Sequence, residues 1–182
     1  MSFYSLIELS KLGLKQYGNN VKISRFTNIY NPSNIIIGNN VRIDDFCILS
    51  AGNKSFILED NIHISAGVYI YGTGGIHIKS YSNISSGTKL FSVNDDYSGE
   101  YMVGACAPTE LRNVKEEAII LDKYVVIGAN SVVLPGVNLE EGVAIGANSL
   151  VNKSCKKWGI YAGSPIRFIK ERTKRILDIT AH

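Results

Sequence analysis

Six aliphatic residues recur six positions apart in the C-terminal half of the chain: Leu121, Ile127, Val133, Leu139, Ile145 and Val151. Two positions ahead of each stands a second set, Ile119, Val125, Ser131, Val137, Val143 and Ser149. A period of six matches neither the 3.6-residue turn of an α-helix nor the plain alternation of a strand. It predicts a chain that turns a corner every six residues, three corners to a coil, with coils stacked into a three-sided solenoid. Hexapeptide self-similarity of this kind is the signature of a β-helix. Three hexads make a coil of about eighteen residues, and successive coils stack about 4.8 Å apart.

The same phase runs earlier, through Ile37, Ile43 and Leu49, with Ile35, Val41 and Cys47 two positions before them. It breaks over Ala51–Phe56 and resumes at Leu58, Ile64 and Ile70. After a two-residue insertion in Gly72–Gly75 it continues through Ile78, Ile84 and Leu90. Residues 91–118 lose the period altogether. The expected body is therefore a solenoid over residues 18–163, of about five coils, with one long loop (about 91–118) extruded at a corner. Segments of that length inside a compact fold are usually functional. Residues 1–17 read as a short helix: Ser5 and Glu8 have capping-box spacing, Leu6, Ile7, Leu9, Leu12 and Leu14 form an apolar stripe, and Gly18 is a stop. Beyond Gly163-Ser164-Pro165 the period becomes helical again through Ile166, Ile169, Ile176 and Leu177. This predicts a C-terminal capping helix and tail over 164–182.

Composition narrows the function classes. Hydrophobic residues make up 45% of the 182 and charged residues 19%, as a chain that buries one side chain per short turn requires. A net charge of +3 is too small to suggest nucleic acid. Cys47, Cys106 and Cys155 are odd in number and widely spaced, with no metal-ligand pattern, so neither a disulfide framework nor a metal site is expected. No secretory leader and no apolar run of membrane-spanning length are seen, which makes a cytoplasmic protein without membrane insertion the default.

The repeats Ile127-Gly128-Ala129-Asn130-Ser131-Val132-Val133 and Ile145-Gly146-Ala147-Asn148-Ser149-Leu150-Val151, the Val133-Leu134-Pro135-Gly136-Val137 segment and the closing Ala162-Gly163-Ser164-Pro165-Ile166-Arg167 resemble those of the hexapeptide-repeat acyltransferases. Within that superfamily the order of parts is similar to the galactoside and maltose acetyltransferase branch, in particular the sugar acetyltransferases of bacterial surface-polysaccharide (lipopolysaccharide) clusters. The resemblance implies a left-handed parallel β-helix, a homotrimer, and acetyl-CoA as co-substrate in the groove between subunits. Pairing flat faces around a threefold axis would also bury their outward residues in a closed assembly.

On that resemblance, the corners Gly128-Ala129 and Gly146-Ala147, with Asn130 and Asn148 beside them, lie against the pantetheine arm. The bland alternative is that they only form tight turns. Eight basic residues between 153 and 175 against the single acid Glu171 offer a field for phosphates, and the family pattern points to Lys153 and Arg167. Trp158 has two readings, a cover for the adenine or a lid on the hydrophobic core. The galactoside-type enzymes use a loop histidine as general base, and the corresponding stretch here, from Leu90 to Tyr101, has none. The family's histidine falls at about Asp95. The candidates for the base are therefore Asp95, Asp96 and, from a solenoid face, His63. An isolated carboxylate is a poor base for a hydroxyl, unless its neighbour and partial burial raise one of the pair. An amine needs less help, which favours N-acetylation of an amino sugar, carried on a nucleotide, with Tyr97 and Glu100 of the acidic tract holding ammonium and hydroxyls. Asn83 is added because coil counting stacks it between His63 and Val126. His77 reads as a solvated or contact residue, and His182 is terminal. Other readings are O-acetylation with an Asp or His base, a metal-dependent β-helix enzyme short of histidines, and a noncatalytic assembly solenoid.

Overall fold

The computed structural model describes residues 2–180, so His182 lies outside the described residues. The chain winds into a left-handed parallel β-helix with three faces. The first carries Gln16–Tyr17, Ile35–Ile37, Phe56–Leu58, Ile76–Ile78, Ile119–Leu121 and Asn138–Leu139. The third runs from Asn28–Tyr30 through Ile48–Ala51, Tyr69–Gly72, Lys89–Phe91 and Val132–Val133 to Leu150–Val151. The second is the longest. It contains seven parallel rungs, from Lys22–Ile23 to Gly159–Ala162, and an eighth, antiparallel strand Arg167–Glu171. Seven rungs replace the five or so coils expected from the spacing.

Both six-spaced sets point inward. Leu121, Ile127, Val133, Leu139 and Val151 are completely buried, as are Ile119, Val125 and Val143. Ser131 and Ser149 share the interior and are satisfied there: both hydroxyls donate to the Gly146 carbonyl, at 3.1 and 2.7 Å. The eighteen-residue coil holds in this half, where Val126 pairs with Ala144 and Val132 with Leu150. Coils in the N-terminal half are longer, with Lys22 opposite Arg42 and Arg42 opposite His63. Their extra residues sit at the corner between the third and first faces, over 31–34, 52–55 and 73–75. The expected break at Ala51–Phe56 is one of these widened corners, and both residues remain buried. The long loop leaves from the same corner.

The remaining corners are sharp. The first-to-second corner turns on Asn20, Asn40 and Asn61, all in the left-handed region that Asn tolerates. Their amides form a ladder from Asn20 to Asn40 to Asn61 at 2.9 and 3.2 Å. Higher on the same corner the ladder becomes aromatic: Tyr81 stacks on Tyr124 at 5.2 Å, and Trp158 packs against Tyr124 at 6.2 Å with its ring tilted by 31°.

Both ends depart from the helices expected there. The N-terminal helix covers only Leu6–Leu9, with the predicted Ser5/Glu8 capping box and a Glu8–Arg25 ion pair. Gly13 then turns the chain at φ +74°, and Gln16–Tyr17 already pairs with the next coil. Leu9 is buried on the open end of the core. At the other end the helical pattern from Ile166 is not realised until Arg175–Thr180. Before it, Arg167–Glu171 lies antiparallel against Gly159–Ala162. An open sheet edge carries a row of unpaired N–H and C=O groups, and satisfying them outweighs a weak helical period. Arg172 ties the strand down, donating through Nη1 to the Tyr124 and Gly142 carbonyls at 2.8 and 2.9 Å.

Candidate active site

Most of the expected site residues fall on two different corners of the prism, and His63, Asn83 and Arg167 lie on the second face. Gly128-Ala129 and Gly146-Ala147 stack at the corner between the second and third faces. Asn130 donates its N–H to the Ser86 carbonyl below, and Asn148 its N–H to the Ala129 carbonyl, at 2.9 and 2.8 Å. Read downward, the same column continues through Ser85-Ser86-Gly87 and Ser65-Ala66-Gly67, and upward it ends at Ala162-Gly163. Apart from Asn130 and Asn148, every coil from 65 to 163 thus contributes only Gly, Ala or Ser here. The bland reading also holds in part. Asn130 and Asn148 are present because the turn needs φ of +58° and +54°. Gly128 is required by stacking, since a Cβ there would lie 2.5 Å from the Ala147 nitrogen.

Asp95, Asp96, Tyr97 and Glu100 are in the loop, on the third-to-first corner. The loop is built rather than loose. Val93–Asn94 pairs antiparallel with Lys115–Glu116, and Met102 N–H donates to the Leu111 carbonyl at 2.8 Å, next to a short 3-10 turn at Thr109–Leu111. Its base is pinned where Gly74 N–H donates to the buried Ser92 hydroxyl at 2.9 Å. A Cβ on Gly74 would come within 2.1 Å of the Ser92 carbonyl oxygen. The two aspartates have separate fates. Asp96 closes a turn: it accepts from the Ser98 N–H and from Asn113 Nδ2, both at 2.7 Å. The Ser98 and Asn113 hydrogen bonds hold its carboxyl below the usual carboxylate value, the reverse of the raised value a base would need. Asp95 makes no such turn. It is half-buried, and an oxygen lies 3.8 Å from Arg112 Nη2. Tyr97 and Glu100 are exposed on the loop surface.

His63 does not join them. It sits on the second face in register with Asn83 and then Val126, as coil counting predicts. Its Nε2 is 2.9 Å from Oδ2 of the buried Asp44, whose Oδ1 accepts from Arg42 Nε at 2.7 Å. Burial alone would push the Asp44 carboxyl up, but hydrogen bonds from Arg42 and His63 outweigh it and hold the group low. His77 pairs with Glu59 on the first face at 2.8 Å. Lys153 and Arg167 are separated as well. Lys153 follows Leu150–Val151 at the third-to-first corner, whereas Arg167 pairs with Ala162 beside the small-residue column. Trp158 is buried in the aromatic ladder of the first-to-second corner, away from the small-residue column, which favours its structural reading. No group of three or more His, Cys, Asp or Glu among the described residues is placed to hold a metal ion. No helix among the described residues is long and apolar enough to cross a membrane.

Three residues escaped the sequence reading: Asp44 behind His63, Arg112 beside Asp95, and Ser85 under Gly128. Asp44 and Ser85 were accessible to the coil counting that aligned His63 with Asn83, carried two residues further. Arg112 was not, because it lies in the aperiodic loop.

A three-sided coil with one carboxylate loop and a column of small corners is the architecture expected of the hexapeptide-repeat acyltransferases, and the comparisons with known proteins agree. The family model for the hexapeptide repeat of succinyl-transferase matches residues 34–71 and 119–153. The dTDP-4-amino-4,6-dideoxy-D-glucose acyltransferase of Escherichia coli is 43% identical over 98% of this chain and 93% of its own length. A putative lipopolysaccharide biosynthesis O-acetyl transferase of E. coli K12 is 29% identical over 84% and 80%. Among solved structures, AntD, an N-acyltransferase of Bacillus cereus in complex with dTDP-4-amino-4,6-dideoxyglucose and coenzyme A, superposes with a TM-score of 0.95 at 45% identity, covering 99% of this chain and 95% of that one. The chain belongs to the hexapeptide-repeat sugar acyltransferases and is an acyltransferase, which removes the reading as a noncatalytic assembly solenoid.

Proposed function

We propose that this enzyme transfers an acyl group from acyl-CoA to the amine of a dTDP-linked 4-amino-4,6-dideoxy sugar. The observation that carries this reading is the full-length similarity, loop included, to AntD, whose structures hold that nucleotide sugar with coenzyme A, or dTDP with 3-hydroxybutyryl-CoA. The carboxylate loop agrees with it. The neutral amine nitrogen attacks the thioester carbonyl carbon, the C–N bond forms and the C–S bond breaks. The nitrogen gives up its proton to Asp95, and coenzyme A leaves as the thiolate, which takes a proton to end as the thiol. AntD has been solved with substitutions at one serine and one aspartate ten positions apart. Ser85 and Asp95 have that separation here, as do Ser86 and Asp96, and the turn duties of Asp96 favour the first pair.

Ser85 stands at the second-to-third corner and Asp95 on the third-to-first, so a second copy of the chain completes the site. A closed ring of three supplies each small-residue corner with a neighbour's loop. Lys153 and Arg167 serve the coenzyme's phosphates, and Tyr97, Glu100 and Asn83 the sugar side. The free thiols Cys47, Cys106 and Cys155 agree with a reducing cytoplasmic setting, where acyl-CoA and nucleotide sugars are found. O-acetylation is the second reading, favoured by the lipopolysaccharide relative and by the His63–Asp44 pair, which orients an imidazole as a base. The test is incubation with acetyl-CoA and dTDP-4-amino-4,6-dideoxyglucose, with thiol release followed in time and the product analysed by mass and NMR. Amide formation at C4 supports the proposal, while ester formation, or thiol release only with hydroxyl sugars, overturns it.

A further inference from the structure

Arg112 enters the loop at the end of the 3-10 turn, and its main chain is already engaged, its N–H donating to the Thr109 carbonyl at 3.2 Å. Met102–Leu111 pairing, the Val93–Asn94 hairpin and the Asn113–Asp96 hydrogen bond close the loop without the Arg112 side chain. That side chain turns inward instead, into a cleft of about 470 Å³ also lined by Thr73, Val93, Thr109, Val114 and Glu116. Only about a quarter of it is exposed, and Nη2 lies 3.8 Å from Asp95, ion-pair distance but too long for a direct hydrogen bond. Its Nε is buried and has no hydrogen-bond partner among the described residues. A buried donor without an acceptor is destabilising, and each such group in a native structure calls for a physical explanation. The guanidinium is thus held by the cleft walls, beside a half-buried carboxylate, with hydrogen-bonding capacity to spare.

We propose that Arg112 is the positioning residue for Asp95, fixing the carboxylate toward the acceptor amine. This rests on the reading of Asp95 as the proton acceptor. Both are buried far enough to lose freedom on pairing, and a guanidinium offers planar, directed donors where an ammonium offers a point charge. Loosening Asp95 is expected to slow the chemical step rather than weaken coenzyme binding, because Arg112 contacts the base and not the small-residue corner proposed for the coenzyme.

The test uses the full-length assembly and acetyl-CoA with the amino-sugar nucleotide, comparing Arg112→Gln, Arg112→Lys, Asp95→Asn and the double variant Arg112→Gln/Asp95→Asn. Arg112→Gln is expected to lower kcat about tenfold, with the KM for acetyl-CoA and the melting temperature unchanged. Arg112→Lys recovers part of the loss, and Arg112→Gln costs nothing further once Asp95 is Asn. Additive losses in the double variant, or a wild-type rate in Arg112→Gln, overturn the positioning role. If Asp95→Asn retains the wild-type rate while acetyl transfer to the amine proceeds, it is the assignment of Asp95 that fails, and Arg112 with it. If the wild-type enzyme acylates only a hydroxyl, the acceptor reading fails by itself, and the same cycle run on that acceptor still decides whether Arg112 acts through Asp95.

Discussion

Replacing Gly128 by Ala tests whether coil spacing, rather than backbone turning, fixes the small residues of the second-to-third corner. Gly128 does not have a positive φ, so the backbone conformation itself admits alanine. What forbids it is the next coil: the new Cβ would lie 2.5 Å from the Ala147 nitrogen and 2.7 Å from the Gly146 carbonyl carbon. Unstrained contact needs about 3.5 Å, so the coils must part by about 1 Å. They are tied by Gly128 N–H to the Ile145 carbonyl and Asn148 N–H to the Ala129 carbonyl, both at 2.8 Å, and cannot part without weakening these bonds. Overpacking of this kind costs about 1–3 kcal/mol, and at about 2–4 °C per kcal/mol for a chain of this length the melting temperature should fall by roughly 2–12 °C. Gly146→Ala should cost less, because its nearest conflict is a single methyl, the Ala162 Cβ, at 2.9 Å. Melting followed by circular dichroism, at equal protein concentration, checks both. A Gly128→Ala protein that melts within about 1 °C of wild type would show that the stacking argument is wrong.

Three further outcomes follow from the geometry. Asp95→Asn should lower the amine-acylation rate by about 100-fold or more, the usual worth of a proton-transfer group, whereas Asp96→Asn should leave it within about threefold because Asp96 serves a turn; steady-state rates decide. The Glu8 carboxyl is lowered to about 2 by the Arg25 hydrogen bond, with Ser5 next. A carboxyl whose folded value is depressed contributes stability above its ordinary value of about 4.5 and loses it as pH falls toward 2, so the melting difference between wild type and Glu8→Gln should be full at pH 6 and shrink through that window. Equal differences at pH 6 and pH 2.5 would contradict the ion pair. Finally, Cys106 is exposed while burial pushes the Cys47 and Cys155 thiols up to about 11, so a thiol reagent at pH 8 should label one site in the native protein and three in denaturant.

Much of the fold was legible because a β-helix spends its sequence on one repeated demand. Each hexad must place an aliphatic group inside, so Leu121 to Val151 announces both the period and the interior. The ends were less legible because their pattern competes with an unmet demand elsewhere. Ile166, Ile169, Ile176 and Leu177 do share a helical period, yet the backbone of Gly159–Ala162 needed partners, and Arg167–Glu171 supplies them. Coil length misled in the N-terminal half for a similar reason. The widened corners at 31–34, 52–55 and 73–75 add residues without adding inward positions, so phase counting saw interruptions where the core is continuous.

The site was legible only in pieces, and its chemistry explains which. A loop carboxylate in place of the family's histidine is visible in the sequence, and the proposed choice of acceptor rests on it. A hydroxyl must lose its proton while it attacks, which demands a strong base; a neutral amine attacks first and becomes acidic as the C–N bond forms. An ordinary carboxylate is a weak base and suits only the second case, and Asp95, beside Arg112, is the carboxylate proposed for it. The expectation that Asp95 and Asp96 would act on each other dissolves once Asp96 is seen bonded to Ser98 and Asn113. What replaces it is a cation reached from the far arm of the loop, a contact that no spacing rule connects to Asp95. The small-residue column and the carboxylate loop stand on different corners of one chain, and on the proposed function selectivity for an amine depends on a second copy bringing its loop to the small-residue corner of the first.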